Sequence, residues 1–155
     1  MVQLLRYFIA ILISTLTGAM SCWVLGLVFS GPFMSILSAF GIDTSNVSMF
    51  QLGAAFGFWG HFINYTNGAL KPLGFIPNFS TLIYFICARF MLPLVGAALI
   101  IIPGYIAGLF VEDLVFAGLA AFGVDTSALI LWQVSVTFSY IAAFMLGVPH
   151  SSGIK

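Results

Sequence analysis

From residue 7 to residue 29 the chain runs 23 positions without one charged side chain. A helix needs about 20 mostly apolar residues to cross roughly 30 Å of hydrocarbon, so this run is long enough to span a bilayer. Similar stretches recur at about 47–63, 90–111 and 129–148. The second is long enough only if its ends reach into the interface. The first run exceeds the roughly 7–15 residues of a secretory signal's apolar region, and it is read as a span.

Composition supports lipid as the solvent. Of 155 residues, 62% are apolar, and four Lys/Arg with four Asp/Glu serve the whole surface. Soluble domains carry about 25% charged residues, and the mean hydropathy here is +1.19. Four basic residues cannot neutralise a nucleic-acid backbone, so no nucleic-acid partner is expected. Two cysteines make no disulfide framework. The expected partners are the lipid bilayer and either other membrane subunits or further copies of the chain.

The charges sort by loop. Arg6, Lys71, Arg89 and Lys155 fall at the N-terminus, the central loop, the start of the third span and the C-terminus. Asp43, Glu112, Asp113 and Asp125 fall in the other two loops. The positive-inside rule then places both termini in the cytoplasm and the spans in the cell (inner) membrane.

The chain also aligns with itself at a shift of 82 residues. Gly26-Leu27 meets Gly108-Leu109, Ala39-Phe40-Gly41 meets Ala121-Phe122-Gly123, and Asp43-Thr44-Ser45 meets Asp125-Thr126-Ser127. Leu37, Gln51 and Phe56 meet Leu119, Gln133 and Phe138, giving eleven identities over the 31 positions from 26 to 56. With two spans per copy, both copies enter the membrane the same way up. The expected fold is an all-α membrane protein of four transmembrane helices, built as two tandem parallel helical hairpins. It forms one integral membrane domain over 1–155, with repeat 1 at about 1–66, a linker at about 67–82 and repeat 2 at about 83–148.

Between its spans each copy carries a short apolar segment, 32–40 or 113–122. Pro32 suits a first helical turn and Gly41 the position just past a helix end. Each segment is expected to form a short interfacial or re-entrant helix. Asp43 and Asp125 then read as caps of the second and fourth spans, or, with Glu112 and Asp113, as acids around an outer mouth.

Other residues carry candidate roles. Gln51 and Gln133, at matching depth, are read as an interhelical polar pair or as a solute pathway. Gly53, Gly57 and Gly60 form a small-residue face for close helix packing. His61 and His150 raise a haem or metal hypothesis, but no third ligand accompanies them, and an aromatic belt with interfacial polar residues accounts for them. No cofactor or metal is expected. Pro103-Gly104 predicts a kink in the third span.

No span holds an acid or base near its centre, and there is no nucleophile–base pairing. Catalysis is therefore the least favoured class, and no catalytic residue is assigned. The expectation is a non-enzymatic structural subunit of a larger membrane complex. The alternative is an oligomeric passive channel or small-solute permease with its site near Gln51 and Gln133.

Overall fold

The computed structural model describes residues 2–66 and 79–146, and every regular element within them is helical. Helix α1 covers Val2–Ala39, α2 Met49–Thr66, α3 Phe79–Leu99, α4 Ile101–Ala121 and α5 Leu131–Leu146. Two helices are long and apolar enough to cross a membrane, 7–39 and 90–121, the second taken across a one-residue break at Ile100. That length and apolarity support a membrane location. With 18 and 16 residues, α2 and α5 are shorter, about 27 and 24 Å at about 1.5 Å per residue.

The short segments expected between the spans are not separate helices. Residues 32–39 are the end of α1 and residues 113–121 the end of α4. Pro32 lies inside α1. Its missing N–H leaves the Val28 carbonyl without an intrahelical partner, and helical structure continues past it. The aromatic rings beyond this proline pack on other helices, Phe33 against Phe56 and Tyr140, and Phe40 against Phe138.

The expected disturbance near Pro103 takes the form of the break at Ile100. Proline is the third residue of α4, where a missing amide costs little because first-turn amides have no intrahelical acceptor. The preceding Leu99 carbonyl loses its partner instead, and the helix restarts with Gly104 N–H donating to Ile100 O at 2.8 Å. The expected linker at 67–82 falls mostly outside the described residues, although α3 already begins at Phe79.

The repeated Phe-Gly-(Ile/Val)-Asp-Thr-Ser segment ends a helix and shapes the loop after it. Gly41 and Gly123 have φ of 82° and 83°, a left-handed conformation that glycine adopts without steric penalty. The Ile42 amide donates to Leu37 O at 3.1 Å and that of Gly41 to Ser38 O at 2.9 Å. Val124 and Gly123 repeat both bonds onto Leu119 and Ala120 at 3.2 and 2.9 Å. This double closure satisfies carbonyls that the helix end leaves open. Five residues after Ile42 and Val124, the Val47 amide bonds Thr44 O and that of Leu129 bonds Thr126 O, each at 3.2 Å.

Within the bundle α1 packs against α2, α3 and α5, α5 packs against every other helix, and α2 touches neither α3 nor α4. The main apolar core joins Phe29, Phe33 and Leu37 of α1 to Met49, Ala97, Val136, Tyr140 and Phe144. A smaller cluster of Ile36, Leu129 and Val134 lies near the loops. In contrast, α4 buries only Gly104.

Candidate functional site: helix crossings and a buried hydroxyl seam

Small residues bring α1 and α2 together. A Cβ built on Gly57 would overlap the Ser14 carbonyl, and one on Gly53 would overlap Gly18 and the Cys22 side chain. At this crossing Ser14 Oγ donates to Gly57 O at 2.7 Å. Gly60 faces a different helix, its Cβ position lying 2.7 Å from Phe144 O on α5.

The α3–α5 crossing uses the same two positions with the residues exchanged. Ser139 Oγ donates to Gly96 O at 3.0 Å; at the offset of 82, Gly96 corresponds to Ser14 and Ser139 to Gly57. The Cys22–Gly53 contact becomes Gly104–Ser135 in the same way, with Ser135 Oγ 3.2 Å from the Cβ position of Gly104. In each case one helix supplies the side chain and the other the space for it.

Hydroxyl groups continue from these crossings into the interior. Ser14, Thr17 and Ser21 are spaced three and four apart on α1, hence on one helical face, and all three are buried. Thr17 Oγ1 donates to Ile13 O at 2.9 Å. Ser21 Oγ and the Tyr140 hydroxyl are 2.6 Å apart, and Tyr140 has no exposed surface. One turn earlier on α5, the buried Thr137 hydroxyl has no hydrogen-bond partner among the described residues. His61 is buried at the other end of α2, with its ring 6.2 Å from that of Tyr7. His150 lies outside the described residues.

These hydroxyls carry no charge that marks them out in the sequence. The one signal for them is the 14, 17, 21 spacing, which puts three small hydroxyl residues on one helical face. Hydroxyls neither carry charge nor move protons readily near neutral pH. Bonded to backbone carbonyls and to each other, they hold helices together. Among the described residues no three His, Cys, Asp or Glu side chains cluster as metal ligands.

Gln51 does not cross the bundle. α2 begins at Met49, later than expected, so Gln51 stands at the third helical position and is exposed. Its Oε1 accepts from the Ser48 amide at 2.8 Å and from the Ser48 hydroxyl at 3.0 Å, while its own amide donates to Ser48 Oγ at 3.3 Å. This reciprocal pair is a capping box. Gln133 occupies the same position in α5, but residue 130 is Ile and offers no hydroxyl. Glu112 of α4 takes over the cap, its Oε2 accepting from the Leu131 amide at 3.0 Å.

Asp43 and Asp125 do not cap α2 and α5, which start six residues after each acid. Each folds a tight turn, with Oδ1 accepting from the Ser45 or Ser127 amide at 3.0 Å. Hydrogen bonds from the Ser45 and Ser127 side chains, with those amides, hold both carboxyls below the usual carboxylate range. Asp113 is exposed on α4. Asp125, with Ser35, Ser38 and Thr44, lines an open groove of about 410 Å³ between the two loops. Asp43 is not among its lining residues. No family model, curated protein or solved structure matches the chain.

Proposed function

We propose that this chain is a non-enzymatic structural subunit of a larger membrane-embedded complex. Two tandem hairpins, α1–α2 and α3/α4–α5, enter the inner membrane the same way up, with both termini on the cytoplasmic side. The observation that carries this reading is where the polar groups go. At the crossings they bond to neighbouring helices, while most of the exposed surface of α1 and α4 is apolar, Val28, Phe110, Leu114 and Phe122 among it, with Asp113 an exposed acid on α4. An apolar helix exposed on most sides belongs against lipid or protein, and α4 is such a helix.

Several coincidences at the offset of 82 support the tandem layout. The long helices end at Ala39 and Ala121, and the short ones begin at Met49 and Leu131. The helix stops share their glycine conformation and hydrogen bonds. The crossings share their positions, with Ser and Gly exchanged. The channel alternative is weaker, because Gln51 is committed to its own helix start and the core is filled by Phe33, Tyr140 and Phe144.

The test is affinity purification from native membrane, with identification of what travels with the chain. A defined set of other membrane subunits is expected, with or without further copies of the chain; travel with copies of itself alone favours the channel alternative. Release of the chain by alkaline carbonate, or chain ends tagged and found on opposite faces, overturns the reading.

A further inference from the structure

α1 and α4 hold related places in their hairpins but have different surroundings. The outer half of α1 lies against α5, whereas among the described residues α4 packs on α5 and α3 and does not meet α2. The α1–α5 contact is mainly aromatic. Phe29 meets Trp132 with centroids 5.7 Å apart, Phe33 meets Tyr140 at 5.9 Å and Phe40 meets Phe138 at 5.3 Å, while Ser21 bonds the Tyr140 hydroxyl.

Moved by 82 positions, those pairs become Val111 with Phe50, Val115 with Phe58, Phe122 with Phe56, and Pro103 with Phe58. Among the described residues none of them forms within one chain, because α2 and α4 do not touch. Exposure separates the two sets at the middle of the contact: Phe33 and Tyr140 are 0% exposed and Phe29 7%, whereas Val111 is 39% exposed, Phe50 47% and Phe58 37%, with Val115 half-buried. At the loop end Phe40 and Phe138 stay 37% and 46% exposed although they meet, and of their counterparts Phe122 is 89% exposed while Phe56 is half-buried against Phe33. The one polar pair, Ser21 with Tyr140, is replaced on both sides at once by Pro103 and Phe58. Neither surface keeps a hydroxyl that the other would leave unsatisfied.

We propose that α4 of one copy docks on α2 of a second copy, repeating between chains the contact that α1 and α5 make within one. The inference rests on the tandem-hairpin reading above. The partner is a second copy because this chain already carries both halves of the contact. The two surfaces differ, so the association is head-to-tail, and it closes into a ring if the rotation between copies allows.

Inter-chain cross-linking tests it. Two differently tagged chains, each with Cys87→Ser and the buried Cys22 retained, carry Phe50→Cys or Val111→Cys and are expressed together. In membranes that resist carbonate extraction, a cross-link joining the two tags is expected. Phe122→Arg in the Val111→Cys chain should lower its yield on the order of tenfold, equivalent to about 1.4 kcal/mol. A monomer by mass in native lipid particles, which would mean that lipid covers α4, overturns the proposal. So does cross-linking only between identical positions, which would mean an isologous dimer. Release of the chain by carbonate would instead remove the membrane reading beneath it.

Discussion

Replacing Gly57 by Ala tests the helix-crossing account most directly. The added methyl overlaps the Ser14 carbonyl, which is rigid backbone, so α1 and α2 must separate. Overpacking of this kind costs about 1–3 kcal/mol. Separation also breaks the 2.7 Å Ser14–Gly57 bond, worth about 0.6 kcal/mol in a membrane interior. Alanine's better helix propensity returns about 1 kcal/mol. The net loss is therefore about 0.5–2.5 kcal/mol. Gly96→Ala is the control from the second hairpin. Its new methyl meets Ser139 Oγ at 3.6 Å and the Ala143 Cβ at 3.8 Å, which are ordinary contacts. That variant should be unchanged or gain up to about 1 kcal/mol from propensity. Unfolding in mixed detergent–dodecyl sulfate micelles, followed by helical circular dichroism, measures both. Equal stabilities, or a Gly57→Ala protein more stable than Gly96→Ala, would refute the reasoning.

Three further outcomes are expected. Thr137→Val removes a buried hydroxyl that has no partner among the described residues and should stabilise the fold by about 1 kcal/mol or more in the same assay, since such a group carries a desolvation cost of about 1–3 kcal/mol; a loss of stability would show that the hydroxyl is satisfied. Glu112→Ala leaves the Leu131 amide uncapped and should cost about 1 kcal/mol, with faster hydrogen exchange confined to the first turn of α5. The Asp43 and Asp125 turns should open in acid. Their carboxyls titrate below the ordinary value in the folded chain, so their contribution is present above the unfolded pKa and is lost as pH falls through the folded one. The Ser45 and Ser127 amide resonances should therefore report midpoints below 3.8, and midpoints above that value would contradict the turn geometry.

What the sequence alone determined was local or periodic. Long uncharged runs demand helices, because in lipid each backbone amide needs a partner within its own segment. Gly41 and Gly123 announced the helix ends, since the left-handed conformation there is a local requirement that few other residues meet. The self-alignment picked out positions that the structure then uses alike, down to the turns formed by Asp43 and Asp125. Tertiary structure decided which polar groups meet. Gln51 and Gln133 share a register, yet one closes a capping box with Ser48 while the other has lost that partner to Ile130, and a glutamate from α4 does its work. No spacing in the chain places Glu112 beside Leu131, or Ser21 beside Tyr140, because those neighbours arise only when separate helices pack. The exchange of Ser14 and Gly57 for Gly96 and Ser139 has the same cause. Each of these two crossings uses one small residue and one donor, and either helix supplies either part.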